Sequence, residues 1–273
     1  MSERRARGAR RPGSARSQHF LRSQALADEL VRNAEIGSDE LVLELGAGRG
    51  RLTGPLSRAA GRVVAVELDS RWAEYLRGRW ANVDVVNADA ATVALPAERF
   101  HLVANLPFDR TTAILRHLLD DPFVPLARAD VIVEWGMAVK RSLPWPSTLN
   151  DVLWGAWYSF RVTRRLPSSV FDPPPAIDAG VVVIERRVHP LVPERSWRDY
   201  REFVAAGFRR GPRTVVSPRL LRQLRLSGLA PREIDAHQWA SLYATAARRA
   251  ASAASAARQS KGGSRPRPRR DGF

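Results

Sequence analysis

The chain has 273 residues and no cysteine, and its 44% hydrophobic content is ordinary for a soluble globular protein. The lack of cysteine excludes disulfides, thiolate catalysis and cysteine-ligated zinc, which fits a cytoplasmic location. No apolar run approaches the length of a membrane span, so no membrane association is expected. The length suits one large α/β domain with a smaller second domain.

The formal net charge of +16 is concentrated at the two ends. Residues 1–16 contain six arginines against one glutamate, and residues 248–273 contain seven arginines and one lysine against one aspartate. The segments 1–16 and 252–273 are predicted to be disordered basic tails, because they have little to bury. They suit a non-specific tether for ribosomal RNA or, equally well, a solvated tail.

Short apolar runs rich in β-branched residues alternate with helical patterns between the tails. This alternation predicts an α/β fold with a parallel, doubly wound sheet. Two later runs, 159–166 and 180–187, follow closely enough to form an antiparallel edge. The other predicted strands are 41–45, 62–68, 83–89, 101–104 and 130–134, with helices predicted at 52–60 and 70–79.

The character of the chain changes after Pro190, where only helices are predicted. We therefore place a first domain at residues 17–189 and a small helical domain at 190–251. No acidic residue lies between Glu202 and Glu233, and this favours phosphate contacts over an ordinary solvated surface. The candidate RNA-binding residues in this interval include Arg209, Arg210 and Arg213. The helices are predicted at 197–210, 218–226, 231–236 and 238–251.

The loops at the carboxyl ends of the predicted strands carry ligand-binding residue types. Gly46 and Gly48 follow the first strand in a G-x-G-x-G spacing, which differs from the dinucleotide fingerprint. Glu67 ends the second strand, where a carboxylate suits both hydroxyls of a ribose, and Asp89 follows the third, where it suits an adenine amino group. Each acid alone is more often a helix cap or a solvated loop residue. The set together suits S-adenosyl-L-methionine, which has a ribose and an adenine but no pyrophosphate.

The fourth strand ends in Asn105-Leu106-Pro107-Phe108. The Asn105 side-chain oxygen and the Leu106 carbonyl suit the two N–H bonds of an exocyclic base amine, so that its lone pair would point at a methyl donor. Pro107 fixes φ, and Phe108 offers a face for a flipped base. Taken alone, the Asn-x-Pro sequence is also common at a capped strand end.

These motifs together resemble the Erm family of ribosomal RNA adenine-N6 methyltransferases, which modify an adenine in 23S rRNA and block macrolide, lincosamide and streptogramin B antibiotics. The resemblance covers about residues 14 to 245. In the family pattern Asn stands at the position of His19, and Tyr at that of Phe108. The matching segments are Ser17–Leu21, Glu44–Gly50, Glu67, Asp89, Asn105–Phe108 and Val170–Asp178.

The resemblance implies a Rossmann-like methyltransferase domain with a small C-terminal helical domain. It also implies S-adenosyl-L-methionine as cofactor, naked or partly assembled 23S rRNA as partner, a monomeric enzyme and no metal. His19 and Leu21 would contact the cofactor, and Phe171 would stack on the target base opposite Phe108. Lys140 and Arg141 form a basic pair after the fifth strand and would contact RNA.

Two alternatives remain open at this stage. The sister family that dimethylates adenines of small-subunit 16S rRNA shares the fold, the cofactor and the N-L-P-[YF] motif. Its typical continuation N-x-x-[ST]-x-[PI] differs from Asp109–Ile114 here. A non-catalytic rRNA-binding relative would keep the fold without transferring methyl groups, and intact Asn105, Pro107 and Phe108 argue against it.

Overall fold

A computed structural model describes residues 19–142 and 148–262 of the chain. The predicted tail at residues 1–16 lies outside the described residues, and so do Ser17 and Gln18 of the N-terminal motif. The described residues divide into two compact units.

The first unit comprises residues 19–142 together with 157–190 and is built on a seven-stranded sheet. Its central strands are buried on both faces, as expected where helices cover a parallel sheet. The strands are β1 (Phe20–Leu21), β2 (Leu41–Leu45), β3 (Arg62–Glu67), β4 (Val83–Asn87), β5 (Phe100–Asn105), β6 (Leu126–Glu134), β7 (Tyr158–Leu166), β8 (Phe171–Asp172) and β9 (Ala179–Arg186).

The strand order across this sheet is β4-β3-β2-β5-β6-β9-β7. The neighbours from β4 to β6 are parallel, whereas β9 is antiparallel to both β6 and β7. The predicted doubly wound α/β fold is confirmed. Strand β6 begins at Leu126 rather than at the predicted start, Asp130. The strand can include these charged residues because Arg128 donates from Nε to Asp130 Oδ2 at 2.7 Å, and the two charges neutralise each other.

The helices of the first unit connect these strands and begin at recognisable caps. Ser23 accepts the N–H of Leu26 at 3.2 Å, and Asp69 accepts the N–H of Arg71 at 2.9 Å. No helix in the described part of the chain combines the length and apolarity needed to cross a membrane. The helices are α1 (Gln24–Asn33), α2 (Thr53–Ala59), α3 (Ser70–Leu76), α4 (Thr111–Leu119) and α5 (Trp135–Ser142).

Strands β1 and β8 form a separate two-stranded antiparallel sheet that the sequence did not predict. Leu21 lies opposite Phe171, and Phe20 lies opposite Asp172. Arg22 adds a backbone hydrogen bond of 2.9 Å from its N–H to the carbonyl of Val170. This pairing attaches the N-terminal segment to a loop about 150 residues later in the chain.

The second unit comprises residues 148–156 together with 191–262 and is helical. It includes 148–156, which the sequence had assigned to the first domain. The predicted helix at 231–236 is a single 3₁₀ turn, Pro231–Glu233. The last helix continues through residues 252–262, assigned above to a tail, because alanine there favours helix. The helices are α6 (Leu149–Gly155), α7 (Trp197–Arg210), α8 (Pro218–Gln223) and α9 (Ala236–Gly262).

Trp239 on α9 is the centre of the second unit's core and is fully buried. Phe203 and Phe208 of α7 contact its ring at centroid distances of 6.2 and 5.7 Å. Gly207 of the same helix faces the indole so closely that a Cβ there would overlap it. The close approach of α7 and α9 therefore depends on glycine at this position.

We expect Gly207→Ala to lower the midpoint of thermal unfolding, because overpacking a core costs about 1–3 kcal/mol and exceeds the gain in helix propensity. Glu202→Ala on the exposed side of α7 is the matched control, since it adds no atom to the core. Circular dichroism melting of both variants checks this. A Gly207→Ala variant as stable as the control would contradict the packing described here.

Candidate active site

The loop after β2 exposes bare backbone at the carboxyl edge of the sheet. Gly46, Gly48 and Gly50 have φ angles of 77°, 52° and 78°, which glycine adopts without a steric penalty. A Cβ on Gly48 would lie 2.6 Å from Cε1 of Phe20. The loop can therefore pack beneath β1 only as long as this position carries no side chain.

Glu67, at the end of β3, is fixed by two backbone donors beside this loop. Its Oε2 accepts the N–H of Gly48 at 2.7 Å, and its Oε1 accepts the N–H of Asp69 at 2.8 Å. The side chain is only 4% exposed. Since each carboxylate oxygen has two lone pairs, both oxygens retain the capacity to accept a further hydrogen bond. The predicted ribose contact remains a prediction that this geometry allows.

Asp89 lies beyond β4 and is engaged on both oxygens. Its Oδ1 accepts the N–H of Ala91 at 2.9 Å, and its Oδ2 pairs with Arg110 at 2.6 Å. The sequence did not predict the arginine partner, which comes from the segment after the Asn105 motif. Within residues 19–142 and 148–262, no cluster of His, Cys, Asp or Glu is arranged to hold a metal ion.

Asn105 ends β5 with its side-chain amide fixed in one orientation. Its Nδ2 donates to the backbone carbonyl of His19 at 2.7 Å. Its Oδ1 is buried and has no hydrogen-bond partner among the described residues. A buried acceptor left without a partner costs about 1–3 kcal/mol and indicates a position where a donor from outside the chain can bind.

The turn after Asn105 is held by backbone hydrogen bonds. The N–H of Leu106 donates to a carbonyl of β6 at 3.1 Å, and the Leu106 side chain is buried. The carbonyl of Pro107 accepts from the N–H of Arg110 and from the Thr111 hydroxyl, each at 3.0 Å. These contacts place the half-buried ring of Phe108 beside Asn105.

Phe171 lies next to Phe108, but the two rings do not form the predicted sandwich. Their centroids are 6.4 Å apart at an interplanar angle of 78°, an edge-to-face contact. A base between two ring faces needs parallel rings about 7 Å apart, twice the contact distance of carbon atoms. Phe171 is fully buried, so a base can reach only Phe108 unless Phe171 moves.

His19 and Leu21, the predicted cofactor contacts of the N-terminal segment, flank the Asn105 motif. The His19 ring donates from Nδ1 to the carbonyl of Pro173 at 2.8 Å and lies 5.6 Å from the Phe108 ring. Leu21 is buried opposite Phe171. Both residues therefore connect this segment to the loop that carries Phe171.

Glu44 is a buried acid within β2 to which the sequence assigned no separate role. It is 1% exposed, and its Oε2 accepts the hydroxyl of Thr53 at 2.6 Å. Burial, reinforced by the charge of nearby Glu67, raises the pKa of Glu44 to about 8 although the Thr53 hydrogen bond opposes the shift. An acid inside the otherwise apolar run Leu41–Leu45 was the sequence signal for this position.

The predicted RNA-binding residues differ in exposure. In the first unit Lys140 is exposed, whereas Arg141 is half-buried, and burial together with the charge of Arg116 lowers its pKa. In the second unit Arg209, Arg210 and Arg213 are exposed, and none forms an ion pair with another described residue. Arg219, Arg222 and Arg225, from the same acid-free interval, are exposed as well.

We expect Glu44→Gln to stabilise the protein increasingly as the pH rises from about 4.5 to about 8. Over this window the unfolded chain releases the Glu44 proton while the folded protein keeps it, so the wild type loses stability with rising pH. Urea unfolding at several pH values checks this, with the exposed acid Glu98→Gln as control. A stability difference from wild type that does not change with pH would contradict the raised pKa.

Residues 14–228 match the profile of a family described as ribosomal RNA adenine dimethylase. Among curated relatives, the mycinamicin-resistance protein MyrB of Micromonospora griseorubida is 34% identical over 239 residues, covering 83% of this chain and 76% of MyrB. A probable ribosomal RNA small subunit methyltransferase A of Thermococcus kodakarensis is 32% identical over 225 residues, covering 80% of this chain and 77% of that protein.

Among solved structures, the 23S rRNA methyltransferase ErmE is similar with a TM-score of 0.69 and 27% identity, covering 82% of this chain and 98% of the ErmE chain. The family profile covers well over half of the sequence, and the resemblance predicted from the motifs is confirmed. The chain belongs to the ribosomal RNA adenine dimethylase family and is an rRNA adenine N6-methyltransferase.

Proposed function

We propose that the chain transfers a methyl group from S-adenosyl-L-methionine to the exocyclic N6 of one adenine in 23S rRNA. The observation that carries the proposal is the buried, unpartnered Oδ1 of Asn105, held in orientation by the carbonyl of His19. An amine N–H is the donor that this acceptor lacks. The 23S target and the methyl donor go beyond the family assignment and are the substance of the proposal.

The residues around the glycine loop fit S-adenosyl-L-methionine. Gly46 and Gly48 supply the positive φ angles that the turn beside the proposed cofactor site requires, and the fixed carboxylate of Glu67 is suited to the ribose hydroxyls. Leu68, which follows it, is 46% exposed and offers apolar surface for an adenine ring. Asp89 would accept the adenine amino group through lone pairs that its present partners leave free.

The proposed chemistry is positioning rather than acid–base catalysis. The cofactor, when bound, supplies a methyl group on a positively charged sulfur. Asn105 Oδ1 and the Leu106 carbonyl accept the two N–H bonds of the target amine and thereby aim its lone pair toward the cofactor site. The amine loses a proton after alkylation, so no general base is required. The accessible side of Phe108 stabilises the flipped base by stacking, worth about 1–3 kcal/mol.

The exposed arginines of the second unit support RNA as the substrate. Arg209, Arg210 and Arg213 have no acidic partner within the described ranges, so their charges are available to phosphates. Such contacts position an RNA without reading its sequence. Lys140 would add a contact from the first unit, and the half-buried Arg141 is a weaker candidate.

The similarity to ErmE supports 23S rRNA as the target, and the similarity to MyrB supports antibiotic resistance as the consequence. The resemblance to the Erm family extends this resistance to macrolides, lincosamides and streptogramin B. The similarity to the Thermococcus kodakarensis protein supports 16S rRNA as the alternative target. We favour 23S rRNA, because residues 109–114 depart from the small-subunit pattern. We further propose a monomer that acts in the cytoplasm on naked or partly assembled rRNA.

The deciding experiment is primer extension on 23S and 16S rRNA from bacterial cells that express the chain, with mass spectrometry of the modified adenine. A single 23S stop, with a raised macrolide tolerance of the same cells, is the expected result. A stop only in 16S rRNA would establish the alternative. RNA binding without any modification would establish a non-catalytic relative.

We expect Asn105→Ala to lower methyl transfer about 100-fold or more, as does the loss of other preorganised polar groups at reacting centres. Asn33→Ala, an exposed asparagine at the end of α1, is the matched control. Single-turnover transfer of labelled methyl to an rRNA hairpin checks this, together with thermal unfolding and RNA binding. Substantial turnover by a folded Asn105→Ala variant would show that another group positions the amine.

We expect Phe108→Leu and Phe171→Leu to act differently, because only the Phe108 ring is accessible. Phe108→Leu removes a stacking face and should slow methyl transfer with little change in stability, and Phe108→Tyr should preserve most activity. Phe171→Leu leaves a gap in the core and should mainly lower stability. Kinetics and thermal unfolding of all three variants check this. Equal kinetic losses without destabilisation would instead favour a two-ring sandwich.

A further inference from the structure

Three arginines and one aspartate line a shallow pocket beside the active site, together with Phe20 and Leu21. We call Arg22, Arg49, Arg51 and Asp172 the arginine cluster. Arg22 directly follows β1, and Asp172 directly follows Phe171 in β8. Arg22 of the cluster is therefore separated only by β1 from His19, whose carbonyl orients Asn105.

Two of the arginines are held in fixed orientations that converge on one carboxylate. Arg22 donates from Nε to the carbonyl of Phe171 at 2.7 Å, and its terminal nitrogen lies 4.0 Å from Asp172 Oδ1. The guanidinium of Arg49 lies over the rings of Phe20 and Trp72, 4.4 and 5.4 Å from their centroids. Its terminal nitrogen lies 3.5 Å from Asp172 Oδ2.

The carboxylate of Asp172 is bound loosely and neutralises only part of the charge. Arg22, Arg49 and Asp172 have side chains 56%, 45% and 54% exposed, and such exposed pairs are weak. Arg51 is exposed and has no ion-pair partner in the part of the chain that the structure describes. The cluster thus has an excess of positive charge around an anion that can be displaced.

We propose that the arginine cluster binds a backbone phosphate of the RNA next to the target nucleotide, and that Asp172 stands in for this phosphate in the free enzyme. The inference rests on the proposed function, because a base flipped toward Asn105 leaves its flanking phosphates at the mouth of the site. Guanidinium groups match phosphate oxygens through paired hydrogen bonds. A phosphate that displaces Asp172 gains these contacts at the loss of only weak ion pairs.

The test uses a short hairpin of whichever rRNA the wild-type enzyme methylates, made with either normal phosphates or one uncharged methylphosphonate beside the target adenosine. Each flanking phosphate is replaced in turn. We expect the wild type to bind one of the modified hairpins about tenfold more weakly than the normal hairpin. The double variant Arg49→Gln/Arg51→Gln should bind both hairpins with equal affinity, because it has already lost the contact. Its salt dependence should also be flatter than that of the wild type.

Two matched variants complete the design. Arg62→Gln removes an exposed arginine at the start of β3, at the opposite edge of the sheet from the glycine loop, and should retain the full tenfold difference. Asp172→Asn removes the competing anion and should strengthen binding of the normal hairpin several-fold. Replacing Arg49→Gln in the double variant by Arg49→Lys keeps the charge at this position and should restore part of the RNA binding that the double variant loses.

The proposal is overturned if the methylphosphonate weakens wild type and double variant equally, or if Asp172→Asn weakens RNA binding. Calorimetry with S-adenosyl-L-methionine tests whether the arginines hold a different anion, the carboxylate of the cofactor. Reduced cofactor affinity in the double variant would assign the cluster to the methionine carboxylate and overturn the phosphate site. A wild type that methylates neither rRNA hairpin refutes the proposed function itself, whereas a methylating wild type that is indifferent to both methylphosphonates refutes only the phosphate site.

Discussion

The hydrogen bond from Asn105 Nδ2 to the carbonyl of His19 is the contact on which the arrangement of the active site depends. It fixes which atom of the amide points into the pocket, and so leaves Oδ1 as the free acceptor. His19 is itself held because β1 pairs with β8 and because its ring donates to the carbonyl of Pro173. Three segments that are distant in the chain therefore cooperate to orient one oxygen atom.

The two buried acids of the same region favour a cationic ligand. Glu44 and Glu67 are both buried near the glycine loop, and the charge of Glu67 raises the pKa of Glu44 further. A positive group bound nearby would favour the ionised form of Glu44, since opposite charges within a few ångströms lower the pKa of an acid. The two acids thus agree with the proposed sulfonium cofactor.

Most of the main sheet was predictable, because strands buried on both faces appear as uninterrupted apolar runs such as Leu41–Leu45. The carboxyl ends of these strands then indicated Gly46, Glu67 and Asn105 as neighbours. The β1–β8 pair was not predictable, since two-residue strands carry no periodicity and Phe20 meets Asp172 only through tertiary structure.

Side-chain partners were also beyond the sequence. The ion pair between Asp89 and Arg110 depends on a contact between the loop after β4 and the loop after β5. The sandwich of Phe108 and Phe171 was expected from the family resemblance, whereas the edge-to-face contact between the rings depends on how β8 packs. Residue chemistry could be anticipated at these positions, whereas ring orientation and ion pairing could not.

The geometry around Asn105 also constrains where target selection must occur. In the proposed mechanism its Oδ1 and the Leu106 carbonyl meet only the N6 amine, which every adenine in an RNA presents. Stacking on Phe108 is equally indifferent, because every base has a flat face. Selection of one adenine must therefore arise outside the pocket, from contacts that recognise the shape of the surrounding RNA. The arginine cluster beside β1 and the exposed arginines of the second unit are the candidates proposed for such contacts, and neither set would require any change in the atoms that position the amine.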